Sequence, residues 1–373
     1  MESLILNEDE TMLRDAARGF LDASAPVTAF RKVRDDGTGF DRGLWREMAQ
    51  MGWAGVLVPE ANGGADMGHR AAGILAEEMG QTLVASPFIS SAVIAATTLR
   101  AAASDRLAGI ADGSTIYALA IDEGAKFNPK AVMMEATQSG NAFKLNGKKG
   151  FVAEGRAADR VLVLARTSGS AGDADGLTLF DLNTDRAGLT RDAIAAVDGR
   201  DYARMAFDNV DATGDDVVGE VGGGLAAIQQ GLNAGQAAIA AELGGVSAGA
   251  FAMTASYLKE RKQFDKLIGT FQSLQHRAAH LWAEIEVTAS AIANAGRMLD
   301  ADPANAAVAV SLAKARATDT AKLAVSEGVQ MHGGIGMTDE FDMGFYMKRA
   351  RVGAEWLGDY GYHAAIVAAA RGF

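Results

Sequence analysis

The chain has 373 residues, no cysteine and a formal net charge of −12. That length accommodates two or three substructures with sizeable cores, and 49% hydrophobic against 22% charged residues is globular rather than disordered composition. Absent cysteine excludes disulfides, thiol catalysis and Cys-ligated zinc and fits a cytoplasmic location, while the acidic balance disfavours nucleic-acid binding.

The opening residues, MESLILNEDE, are acidic where a secretory leader would be basic and then apolar. Residues 1–112 read as helical. Asn7 stands as N-cap of a helix with acids in its first turn. DRGLWREMAQMG carries apolar residues at helical spacing and stops at Gly52. VPEANGGADMG is a loop of turn formers, after which HRAAGILAEEMGQ and ISSAVIAATTLRAAA return to helix.

Residues 113–217 change character. TIYALAI, AVMMEAT, AFKLNGKKGFVAEG, RVLVLART, GLTLFDL and ARMAFDNV are short strand-like runs punctuated by NGK and GDADG, and their spacing predicts a small barrel or sandwich. Residues 218–373 are helical again, over about 223–262, 271–300 and 303–331 and in a C-terminal helix, with Asp302-Pro303 starting a segment after a break. The Ala- and Gly-rich stretch at 222–253 is interrupted by Gln229, Gln230, Asn233, Gln236 and Glu242. It reads as a tightly packed helix and not a membrane span. The fold class is α+β: an N-terminal helical domain (1–112), a middle β-barrel or sandwich domain (113–217) and a C-terminal four-helix bundle (218–373).

Two stretches could carry chemistry. In YLKERKQFDKLIGTFQSLQH, Arg261, Gln263 and Phe264 lie near a helix end, where a guanidinium pairs well with a phosphate. The plainer reading is a solvated helix end with Phe264 and Phe271 in the core. In QMHGGIGMTDEF, adjacent glycines after a long helix let backbone amides approach a ligand, although most such pairs simply end a helix. His276 and His280 have metal-ligand spacing, but HRAAH lacks the Glu of a metalloprotease helix, so metal binding is disfavoured. His69, His332 and His363 read as structural. No serine-hydrolase elbow or phosphate loop occurs.

In this order the motifs resemble the acyl-CoA dehydrogenase family over nearly the whole chain. LWREMAQMGWAGVLVPEANGGADM resembles its N-terminal helix, strand and loop, and FKLNGKKGFVAEGRAADRVLVLART its middle β-domain. Arg261, with Gln272 eleven positions on, resembles its Arg-x-x-Phe segment, and QMHGGIGMTDEF its Gln-x-x-Gly-Gly-x-Gly signature. The resemblance implies FAD as cofactor, an acyl-CoA substrate, an electron-transfer flavoprotein as electron acceptor, and a homo- or hetero-oligomer (a dimer or dimer of dimers), with no nucleic acid and no membrane. Arg261 would contact the FAD diphosphate across a subunit interface, with Gln272 nearby, and Gln263 would also bind the cofactor. Phe264 would pack on the cofactor. Gln330, Gly333 and Gly334 would hold the adenosine end, and Leu119, Ala120, Phe151 and Ala153 would line the flavin ring. The implied reaction removes an alpha proton to a carboxylate and a beta hydride to the flavin.

The chain departs from that pattern at the base. Counting from Gly336 places the family's usual catalytic Glu on Leu357, or on Gly358 with one gap. The alternative position falls on Gly235, followed by Gln236. The usual Trp-Ile-Thr is Phe151-Val152-Ala153, and LAIDEGAKF replaces the usual flavin loop at 119–127. The catalytic residue is therefore unassigned. Glu355 and Asp359 lie two positions from 357, which on a continuous helix faces them away, as solvated groups or partners of Arg349 or Arg351. WLGDYGYH resembles a variant found in heteromeric family members, several of which act on steroid side-chain thioesters. The expectation is an acyl-CoA dehydrogenase acting as one subunit of such an enzyme. The alternatives are a catalytically silent thioester-binding partner and a flavin oxidase or monooxygenase on the same fold.

Overall fold

The computed structural model describes residues 5–373. Helices α1 (Glu8–Ser24), α2 (Val27–Asp36), α3 (Arg42–Gln50) and α4 (Gly68–Thr82) come first. A π-helical stretch, Phe88–Ala95, runs into α5 (Ala96–Ala101), and α6 (Ala108–Ala111) follows. Strands β1 (Tyr117–Ala120), β2 (Glu135–Ser139), β3 (Ala142–Ala153), β4 (Arg160–Arg166), β5 (Leu177–Asn183), β6 (Leu189–Ala193), β7 (Tyr202–Thr213) and β8 (Val217–Val218) come next. The chain closes with α7 (Gly224–Glu260), the two-residue strands β9 (Lys262–Gln263) and β10 (Lys266–Leu267), α8 (Gln272–Ala301), α9 (Ala307–His332), α10 (Met343–Glu355) and α11 (Tyr360–Ala370). The chain packs as two compact units. One holds residues 5–31, 69–84 and 236–373, the other 32–68 and 85–235, so the early helices contribute to both.

In the helical unit, Asn7 and Glu10 form a reciprocal capping box at the start of α1. The Ala- and Gly-rich composition of α7 has a packing cause: a Cβ on Gly245 would overlap the carbonyl oxygen of Glu77, and one on Gly80 that of Glu242, so α4 and α7 run backbone to backbone. α7 is long and apolar enough to cross a membrane, yet 72% of its most apolar window is buried in protein. α9 packs against α8, α10 and α11, with Thr288 and Thr320 sharing a buried 2.7 Å hydrogen bond between α8 and α9. Arg349 of α10 is fully buried and bound to Glu242 of α7 at 2.8 Å and to the carbonyls of Leu83 and Val84 at 3.0 Å. The sequence suggested Glu355 or Asp359 as its partner; the carboxylate bound here is that of Glu242.

In the other unit the eight strands form one mixed sheet in the order β6-β7-β3-β2-β4-β5-β8, with β1 parallel to β4. β4 and β5 are apolar almost throughout and buried on both faces, as central strands are. β6, absent from the sequence reading as are the two-residue strands β8, β9 and β10, is the polar LTRDA. It has no apolar face and exists because β7 offers it backbone partners. The strand suggested after α3 is instead a run of tight turns through residues 52–58, closed by Gly55 N to Gly52 O, Val56 N to Trp53 O and Val58 N to Gly55 O. Its side chains are apolar because the turns are buried, not because the chain is extended.

Candidate functional site

Leu119, Ala120, Phe151 and Ala153 fall on two strands of the sheet unit, at the ends of β1 and β3. The pairing of β3 with β7 slips between Lys149 and Val152. Such irregularities re-aim side chains, and here Phe151 stacks on Tyr202 with ring centroids 4.3 Å apart. None of the four residues carries a polar side chain, so a ring held here is met by packing and main-chain groups alone. Polar groups stand just beyond them. Lys149 is fully buried, with its Nζ 2.7 Å from Glu123 Oε1. Burial pushes it down to about 8 although Glu123 opposes the shift. Glu123 also accepts from the amides of Met133 (2.8 Å) and Met134 (3.1 Å), which fastens the replaced loop. Burial raises neighbouring Asp122 to about 6. Glu154 is buried at a φ of +55° and accepts a hydrogen bond from Ser90 Oγ.

Arg261, Gln263, Phe264, Gln272, Gln330, Gly333 and Gly334 all lie in the helical unit and are exposed. α7 stops at Glu260 and the chain turns back through a hairpin whose tip residues, Phe264 and Asp265, have φ of +53° and +61°. That turn lifts Phe264 out of the core, contrary to the plainer reading, and leaves it 86% exposed. The hairpin and the Gly-Gly segment are brought together by aromatic packing. The ring of Tyr257, one turn before Arg261, lies 4.5 Å from that of His332, which in turn lies 4.6 Å from Phe341. His332 Nδ1 donates to Gly328 O at 2.7 Å, so its Nε2 is a buried acceptor, and it has no partner among the described residues. A Cβ on Gly333 or Gly334 would meet nothing within 4 Å, so this backbone is open to a ligand. His276 and His280 are exposed on α8, and no group of three or more metal-binding side chains occurs among the described residues.

The position counted as the family's base is not helical. α10 ends at Glu355 and α11 begins at Tyr360, and residues 356–359 form a turn with Leu357 at φ +54° and Gly358 at φ +111°. A Cβ on Gly358 would lie 2.6 Å from Tyr362 Cδ1 and 2.7 Å from His363 Nε2, so only glycine fits. Leu357 is 1% exposed. Its carbonyl accepts from Gln236 Nε2 at 3.1 Å, so the two positions at which a base was sought, beside Gly235 and at Leu357, meet through an amide and a carbonyl. The facing argument for Glu355 and Asp359 assumed a continuous helix, and the turn replaces it. Both carboxylates line a cavity of about 360 Å³ with Lys322, Arg351, Ser326 and Tyr360. Glu355 pairs with Arg351 at 3.3 Å, and Asp359 caps α11 through Tyr362 N at 2.8 Å. Sequence reasoning missed Lys314, a fully buried lysine of α9 beneath this turn. Its one signal is a single cation on the apolar side of SLAKARA.

Comparison with known proteins covers almost the whole chain. Family profiles described as "Acyl-CoA dehydrogenase" match as the N-terminal domain at residues 7–108, the middle domain at 118–210 and the C-terminal domain at 222–371. The chain is 30% identical to a probable short/branched chain specific acyl-CoA dehydrogenase of Dictyostelium discoideum, over 93% of this chain and 86% of that one. It is also 30% identical to the acyl-CoA dehydrogenase IpdE2 of Mycobacterium tuberculosis, over 94% and 93%. Among solved structures, the Tcur3481-Tcur3483 steroid ACAD matches with a TM-score of 0.88 and 29% identity over 98% of both chains.

Proposed function

The chain belongs to the acyl-CoA dehydrogenase family of FAD-dependent oxidoreductases, and we propose that it works in the cytoplasm as one subunit of a heteromeric acyl-CoA dehydrogenase whose catalytic carboxylate comes from another chain. The observation that carries this reading is Leu357. It occupies the turn where the family's base is counted, it is buried, and neither it nor Gly358 nor Gln236 can take a proton. The paired name of the steroid relative, Tcur3481-Tcur3483, supports a two-chain enzyme.

The residues fit FAD. Arg261 offers a guanidinium for a diphosphate, and Gln263, Gln272 and Gln330 offer amides. The open Gly333-Gly334 backbone and the orphaned acceptor His332 Nε2 suit the nucleoside end. Leu119, Ala120, Phe151 and Ala153 supply an apolar wall for the flavin ring. When bound, FAD supplies the acceptor for the two electrons leaving the thioester. This chain's own residues bind and orient it, exclude water from its ring, and leave the alpha proton to a base elsewhere. An electron-transfer flavoprotein is the onward acceptor in this reading, and the three-part division at residues 112/113 and 217/218 is its functional partition.

The test is the visible spectrum of the chain purified alone and together with a second family chain, under a panel of acyl-CoA thioesters without oxygen. The reading predicts bleaching by a thioester only with both chains present. Bleaching by the lone chain at the rate of the pair would overturn it.

A further inference from the structure

The turn at 356–359 is held by more than its own backbone. Lys314 reaches from α9 to three main-chain oxygens: Gly353 at 2.9 Å, Ala354 at 3.3 Å and Gly358 at 3.1 Å. An ammonium has three protons, so each finds an acceptor. Gly353 and Ala354 belong to the last turn of α10, whose carbonyls otherwise lack intrahelical donors and carry the negative end of the helix dipole. One lysine thus closes α10 and ties it to the glycine that begins the return into α11.

His363 of α11 supplies the second tie. Its Nε2 lies 3.1 Å from Leu357 O and its Nδ1 3.2 Å from Ser311 Oγ. A carbonyl only accepts, so Nε2 bears the proton and Nδ1 accepts from the serine hydroxyl, which fixes the neutral tautomer. Burial and then the Lys314 charge push His363 down to about 4, in keeping with that assignment. Gln236 of α7 gives Leu357 O its second donor at 3.1 Å. Four helices thus converge on a four-residue turn.

We propose that Lys314 and His363 are positioning residues, assisted by Gln236, that lock the 356–359 turn in the one conformation that presents side chain 357. The inference rests on the reading of that turn as the family's base position. The donors grip only main-chain oxygens and are indifferent to what side chain stands at 357. The same lock sets Glu355 and Asp359 at the cavity wall.

The test follows the turn itself and uses neither flavin nor thioester, so the base reading and the lock can fail separately. Hydrogen exchange of the full chain is measured on peptides covering residues 352–363, with β4 as internal control. His363→Leu removes the donor to Leu357 O, and exchange there should accelerate about fivefold or more with β4 unchanged. His363→Gln restores an N–H donor and should return toward wild type. Lys314→Met should accelerate the same peptides. A second readout is the Trp356 emission, taken as wild type minus Trp356→Phe across pH 6–9. The charged and titratable groups facing Lys314 are Glu242 on α7, Glu355 on α10, Asp359 in the turn and His363 on α11. Burial, which outweighs those carboxylates, pushes Lys314 down to about 7. The emission should therefore titrate near 7 in the wild type and not in Lys314→Met. Unchanged exchange in Lys314→Met, or equal acceleration by His363→Leu and His363→Gln, would overturn the lock. Should Lys314→Met fail to fold, the two His363 variants decide alone.

Discussion

The turn at 356–359 and the sheet edge formed by residues 119–120 and 151–153 both depart from the family's usual residues, and they do so in opposite ways. The turn carries a leucine where the family's base is counted and is gripped by a lysine, a histidine and a glutamine aimed at its main chain. The ends of β1 and β3 carry no polar side chain at Leu119, Ala120, Phe151 or Ala153, and the buried cation Lys149 of β3 is tied to Glu123 in the neighbouring loop. Geometry and side-chain chemistry separate where the supporting donors bind carbonyls.

The sharpest way to break this contrast is Leu357→Glu. With the turn already held, a carboxylate there should raise thioester-driven bleaching in the lone chain by about 100-fold or more, the usual worth of a positioned general base. Stopped-flow absorbance checks this, and no gain in a folded, flavin-bearing variant would mean that the turn does not present residue 357 productively. Next in size is Arg261→Ala, on the exposed hairpin. Losing a charge-assisted hydrogen bond to phosphate costs about 1.5–3 kcal/mol, so flavin retention by the assembly should weaken roughly 10- to 100-fold, measured by dialysis and absorbance.

A smaller effect concerns pH. Burial lowers Lys314 from its ordinary 10.5 to about 7. Between those values the unfolded chain binds this proton and the folded chain does not, so stability rises with pH from about 7 upward. Lys149 acts likewise only above about 8. Urea denaturation at pH 7 and pH 8 should show a gain of up to ~1.4 kcal/mol in the wild type, largely absent in Lys314→Met. The smallest expected change is Ala153→Thr. One added hydroxyl at the apolar sheet edge should slow flavin release by about 2- to 10-fold, the net worth of a single hydrogen bond. A larger effect would show that the edge retained more of its polar design than its residues suggest.

Much of this was legible in the sequence. The Asn7 capping box, the long helices and the short buried strands follow from periodicity and caps. Three features were not legible, for physical reasons. β6 has no apolar pattern because only its backbone pairs. Phe264 looks like core, and only a two-residue left-handed turn sends it outward. The break after Glu355 has a local mark in Gly358, but the donors that hold it, Lys314 and Gln236, lie 39 or more residues away in the chain, where no local pattern reveals them.

In the proposed division of labour this chain cannot remove an alpha proton, because residue 357 is leucine. The direct measurement is exchange of the alpha protons of an acyl-CoA thioester with D2O, followed by proton NMR, for the FAD-loaded chain alone. No exchange above the uncatalysed rate is expected from the wild type, and clear exchange from Leu357→Glu. Alpha-proton exchange by the wild-type chain alone would contradict it and return the search for a base to Glu355 and Asp359.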